Sequence, residues 1–142
     1  MNRTQQAPRI HRKYSLLNNT KKEKDVGTPY AKLRMLREQI VLLPGLKTYK
    51  DFDIAVEIGH YELLGNPLNQ KQLLLLDISS PATVRRHLNR LIRIGYIEKK
   101  LIEDDHRCAY FVLTERAHFV FEQCISRLDH LLSETKANNI LK

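Results

Sequence analysis

With 142 residues, 42% of them hydrophobic and 28% charged, the chain has the size and balance of one compact domain plus a tail. No apolar run approaches a bilayer span, and the residues that follow Met1 are polar and basic, so no membrane partner and no secretory signal are expected. The reading is a soluble, cytoplasmic protein whose Cys108 and Cys124 are reduced thiols, and whose formal net charge of +8 favours an anionic partner.

That charge is uneven. Residues 1–29 carry seven Lys/Arg against two acids, and end in the turn-forming cluster Asp25-Val26-Gly27-Thr28-Pro29. They are read as a basic tail, either solvated or acting as a phosphate-contacting arm, in front of a domain over residues 30–142. Leu33, Leu36, Ile40 and Leu43 recur at helical spacing up to Pro44-Gly45 and predict a first helix of about 13 residues. A second helix is expected after Thr48, with Phe52, Ala55, Val56, Gly59 and Leu63 on its apolar face and Gly65-Asn66-Pro67 as its end.

Asn69 to Asp77 predicts a short helix in which Leu73 to Leu76 is too apolar to lie exposed. Ser80 is then placed to cap a further helix and Pro81 to occupy its first position, where a missing N–H costs nothing. This helix is expected to run to Ile94 and close at Gly95. Tyr96 to Ile102 and Cys108 to Leu113 are β-prone and flank the polar turn Glu103-Asp104-Asp105-His106, which predicts a hairpin. Thr114 followed by Glu115 starts a last helix of about 20 residues, whose stripe is Ala117, Val120, Phe121, Cys124, Ile125, Leu128, Leu131 and Leu132.

The helix from Ser80 carries the chemistry. Val84, Leu88, Leu91 and Ile92 cluster on one side, and Arg86 projects almost opposite them, flanked by Ala82, Thr83, Asn89, Arg90 and Arg93. Between Ser79 and Gly95 stand four arginines and no acid. Arginine reads guanine bidentately or clamps phosphate, Thr83 can meet a thymine methyl or a phosphate, and Ala82 permits close backbone approach. Such a face is either a DNA-reading surface or the solvated side of a core helix. The order of short helix, turn, basic helix and hairpin is that of a winged helix-turn-helix, mainly α with a small β-hairpin wing, with Arg107 near the wing tip. The candidate DNA-binding residues are therefore Ser80, Ala82, Thr83, Arg85, Arg86, Asn89, Arg90, Arg93 and Arg107.

On Thr83-Val84-Arg85-Arg86, Leu88, Arg90-Leu91, Gly95-Tyr96-Ile97, Asp105-His106-Arg107 and Leu113-Thr114, the sequence resembles the MarR family of bacterial transcriptional regulators. The resemblance covers about Leu68 to Arg116. It implies a homodimer with interdigitating first and last helices, recognition helices in major grooves, wing arginines in minor grooves, and a small-molecule effector whose identity no residue betrays. Asn89 stands where the family often has aspartate, which removes a charge that can pair with the wing arginine. The last helix, with a stripe wider than a small wing covers, independently suits a partner helix, although a fold-back onto its own domain would also bury it.

No phosphate loop, nucleophile turn or zinc-ligand spacing occurs, so no enzyme activity, cofactor or metal is expected. Glu103 to His106 reads as a solvated turn, and His118 with Glu122 as an intrahelical hydrogen bond or a dimer contact rather than a metal site. A redox role would rest on Cys108, with thiolate character lent by Arg107, but neither cysteine has an evident resolving partner. The functional reading is a sequence-specific DNA-binding transcriptional regulator, a repressor by operator occupancy. The alternatives are a winged-helix accessory factor in plasmid or phage nucleic-acid processing, and a protein-interaction winged helix.

Overall fold

The computed structural model describes residues 28–140, so the expected tail lies outside the described residues except for Thr28 and Pro29. Those two begin the fold: the Thr28 side chain accepts from the Ala31 N–H at 3.1 Å and caps α1 (Pro29–Val41), with proline at the helix start. The chain divides into two compact units, one being Thr48–Val120 and the other the segments on either side of it.

In the outer unit, α1 stops at Val41, earlier than the Pro44-Gly45 stop implies, and Leu43 and Leu46 are buried beyond its end. The expected stripe of α1 is only partly covered, with Leu36 and Ile40 half-buried and Leu33 60% exposed. Gln39 is buried instead, and its side-chain oxygen accepts from Arg127 Nε at 2.9 Å. Tyr30, Leu33, Leu42 and Ile125 leave apolar surface open on this unit.

The inner unit is built in the expected order. Thr48 caps α2 (Tyr49–Leu63) through a capping box in which Asp51 accepts from the Thr48 N–H and Thr48 from that of Asp51. The buried face of α2 is Asp51, Ile54, Ala55, Ile58 and Gly59, whereas Val56 and Leu63 are exposed. The face is therefore rotated from the expected one: the apolar Ile54 and Ile58, off the expected stripe, are fully buried, and the Asp51 carboxylate is buried alongside them. Asn69 caps α3 (Gln70–Leu75) with a second capping box to Gln72. Of the four leucines in its apolar run only Leu73 is fully buried, and Leu75 is 74% exposed, since a helix of six residues presents one face to the core. Asp77 follows at φ 55, a left-handed conformation that aspartate tolerates better than most residues, and it turns the chain toward the next helix.

That helix is α4 (Pro81–Arg93), capped by Ser80 and ended by Gly95 at φ 82, as the sequence predicts. Val84, Leu88 and Leu91 form its buried side. The wing is the antiparallel pair β1 (Ile97–Ile102) and β2 (Asp105–Leu113), with Ile97 opposite Leu113 and Lys100 opposite Tyr110. Strand β2 starts at Asp105, earlier than expected, and the register shifts between Leu101 and Ile102, so that Leu101 pairs with Ala109 and Ile102 with Asp105. The last helix, α5 (Glu115–Ile140), has 26 residues, longer than expected, which is about 39 Å at 1.5 Å per residue. No helix among the described residues is long and apolar enough to cross a membrane.

The core of the inner unit lies where α2, α4 and β2 meet, and Gly59 sets how closely α2 approaches the wing. A Cβ at Gly59 would sit 2.7 Å from Leu113 Cδ1, and Leu113 is itself buried. Gly59→Val is expected to destabilise the protein by about 1–3 kcal/mol through overpacking, read as a lower urea midpoint. An unchanged midpoint would contradict this account of the α2–β2 contact.

Candidate nucleic-acid interface

The site is organised from beneath by one carboxylate. Asp51, in the first turn of α2, is wholly buried; His87 Nδ1 lies 2.8 Å from its Oδ1, and Arg90 Nη1 donates to its Oδ2 at 2.8 Å. The same Oδ2 accepts from the Thr48 N–H at 3.2 Å. Both α4 partners are largely covered, their side chains being 11% and 16% exposed for His87 and Arg90. A carboxylate without water needs such donors, because an unpaired buried charge is heavily penalised.

This arrangement separates the four arginines of α4. Arg85, Arg86 and Arg93 are exposed, and Arg90 is turned inward onto Asp51. The sequence reading places Arg90 with the outward cations; the structure sets it at the border of the packed side, where its long stem reaches a buried anion on α2. Ala82 and Asn89 are exposed beside the other three arginines. Ser80 and Thr83 are joined to each other, Ser80 Oγ donating to Thr83 Oγ1 at 2.8 Å and accepting from the Thr83 N–H at 3.3 Å. The helix entrance is thus capped while its hydroxyls remain at the surface. Lys50 Nζ donates to Ser79 Oγ at 2.6 Å, which ties the turn before α4 to the first turn of α2.

The far end of α4 is fastened as closely. Thr114 Oγ1 donates to the Gly95 carbonyl at 2.7 Å, Arg116 Nη1 donates to the Ile94 carbonyl at 3.1 Å, and the Arg116 guanidinium lies 5.6 Å from the centre of the buried Tyr96 ring. Burial pushes the Tyr96 hydroxyl up in pKa, with Arg116 opposing the shift. Glu62 braces the wing base: its carboxylate accepts from the Leu113 N–H at 2.9 Å and lies 3.1 Å from His118 Nε2. His118 therefore pairs across elements with Glu62, where the sequence suggested Glu122 on its own helix.

Arg107 is exposed in the wing. Its segment is shaped by Asp105, whose Oδ1 accepts from the Arg107 N–H at 3.0 Å and whose Oδ2 accepts from the Cys108 thiol at 3.3 Å. That carboxylate, through the hydrogen bond and its charge, pushes the Cys108 thiol up in pKa. The expected thiolate character from Arg107 is thereby reversed. Cys124 is buried, and burial pushes its thiol up as well.

Sequence reasoning missed Asp51, His87, Glu62, Arg116 and His118 as organising residues. The capping-box pattern Thr48-x-x-Asp51 was a usable local signal for Asp51; the pairings to α4 and α5 join residues dozens of positions apart and carry no such signal. Asp51→Ala, which leaves Arg90 and His87 facing a void, is expected to cost about 3–5 kcal/mol in urea unfolding. Arg85→Ala, at an exposed position, is expected to stay within about 0.5 kcal/mol of the parent. Equal effects of the two would contradict the division of α4 into a clamped and an open side.

No protein-family model matches the sequence, and no curated protein sequence matches it. Solved structures do. A mutant of MepR from S. aureus bound to an oligodeoxyribonucleotide superposes with a TM-score of 0.64 at 17% identity, over 76% of this chain and 75% of that one. A transcriptional regulator from Thermotoga maritima gives 0.55 at 21% identity, over 92% and 78%. A mutant of MarR from E. coli complexed with operator DNA gives 0.53 at 20% identity, over 91% and 81%. At these identities the likeness is one of fold: a mainly helical chain with a two-stranded antiparallel wing, which is the winged helix-turn-helix fold of the MarR-type regulators.

Proposed function

We propose that this protein is a sequence-specific, DNA-binding transcriptional regulator of the MarR type that works in the cytoplasm as a homodimer and represses by occupying an operator. The observation that carries the reading is the outer face of α4. Arg85, Arg86, Asn89 and Arg93 are exposed on a helix that has no acid and whose opposite side is packed. That face can supply guanine-reading or phosphate-clamping groups, and Ser80, Ala82 and Thr83 at the helix entrance suit close backbone approach to DNA. Arg107 on the wing adds a cation for the adjacent groove. Arg90 takes a different role from the others, holding the helix rather than touching DNA.

The fold-level likeness to a MarR mutant solved with operator DNA and to a MepR mutant solved with an oligodeoxyribonucleotide supports duplex DNA as the partner. Dimerisation is supported by the apolar surface that Tyr30, Leu33, Leu42 and Ile125 leave open, which a second copy would cover. A two-fold dimer presents two α4 helices to successive major grooves, so its site is pseudo-palindromic with half-sites about 10 base pairs apart. The concentration of positive charge in residues 1–29 favours a second reading, an accessory factor that binds nucleic acid without sequence preference.

Selection of bound sequences from random duplexes separates the two. A regulator enriches one pseudo-palindrome, whereas an accessory factor enriches none. On the selected duplex, Arg86→Ala is expected to weaken binding by about 1–3 kcal/mol more than on a scrambled duplex. Equal loss on both would remove base readout from Arg86.

A further inference from the structure

We infer that Asp51 is a positioning residue for DNA recognition: it withdraws Arg90 and His87 from the DNA-facing surface and uses them to fix how α4 is presented. The inference rests on the DNA-binding reading and adds to it a residue that never touches the ligand. A recognition helix must be held against rotation about its own axis, because a turn of a few tens of degrees would exchange the side chains that meet the base edges. Apolar packing through Val84, Leu88 and Leu91 is non-directional and resists such rotation weakly. The bonds to Asp51 are directional. They come from two positions three residues apart, His87 and Arg90, on adjacent turns of α4.

The anchor is rigid at its other end. Asp51 is buried, and its capping-box bonds with Thr48 fix it to the α2 backbone. Lys50, one residue earlier, holds Ser79 in the turn just before α4. The first turn of α2 therefore holds α4 near its start and along its flank, while Thr114 and Arg116 close its end. Electrostatics follow from the same geometry: one of the four α4 arginines is neutralised within the protein, so three remain to displace counterions from DNA.

The test compares the wild-type protein with Arg90→Gln and Asp51→Asn for binding, across a series of salt concentrations, to a duplex selected from random sequence and to a scrambled duplex. The Asp51→Asn change keeps the size of the side chain and one acceptor for the Thr48 N–H while losing the charge. Arg90→Gln is expected to keep the slope of log affinity against log salt while specific affinity falls about tenfold relative to scrambled DNA. Asp51→Asn removes the anion that neutralises Arg90, so a fourth α4 charge becomes available to phosphate and the slope is expected to steepen by about 0.9 per protomer as the same ratio falls. A merely structural role would lower the active fraction and leave slope and ratio alone.

A shallower slope for Arg90→Gln would mean that Arg90 meets phosphate in the wild type, and would overturn the inference. Unchanged slope and ratio in Asp51→Asn would overturn it too. Wild-type protein that binds neither duplex would instead overturn the DNA-binding reading. Hydrogen exchange in the free protein judges the clamp without DNA: α4 amides are expected to exchange at least about tenfold faster in Asp51→Asn while β1 and β2 amides keep their rates. Unchanged α4 rates, or equal acceleration everywhere, would overturn the clamp.

Discussion

Asp51 is a carboxylate with no access to water, and much of the inner unit is arranged to satisfy it. Its donors come from its own helix cap at Thr48 and from two side chains of α4, so a local capping motif and a long-range tertiary contact share one pair of oxygens. Replacing such a network by apolar packing is often neutral or stabilising, so its presence speaks to orientation more than to net stability. The hydrophobic contacts of α2 with α4 and β2 bring the elements together, and the ion pair defines their relative rotation. What is left outward on α4 is then a short, acid-free cationic surface.

The two ends of that surface are built from ordinary backbone chemistry. Ser80 and Pro81 start α4 and Gly95 ends it, while Thr114 and Arg116 consume the carbonyls of Gly95 and Ile94 that the helix end leaves unsatisfied. Because Thr114 also accepts from the Ala117 N–H, the residue that closes α4 is the one that opens α5. Glu62 similarly joins the end of α2 to the last residue of β2 and to His118. The wing is thus braced at its base, and its tip is shaped locally by Asp105.

Much of this was legible in the chain. The order of elements, the cap at Ser80, the left-handed Gly95 and the hairpin followed from period, turn residues and β-propensity, because each depends on neighbours within a few positions. The faces were less legible. On α2, apolar periodicity points to Val56 and Leu63 and cannot register Asp51, a buried acid whose partners lie on another helix. On the short α3, four consecutive leucines could not reveal that only Leu73 would be fully enclosed. Within the site, Arg85, Arg86, Asn89, Arg93 and Arg107 lie at the surface as expected, whereas Arg90 is largely covered, because side-chain length lets an arginine at the edge of a face reach inward.

Duplex DNA is expected to meet the outer face of α4 and the wing rather than only the basic N-terminal segment. Backbone amide chemical shifts of the full chain, followed by NMR as a selected duplex is added, test this most directly. The largest changes are expected from Ala82 to Arg86 and around Arg107, with the amides of Ile54 and Ile58 in the α2 core nearly still. Changes confined to residues 1–29, with α4 and the wing unmoved, would contradict it.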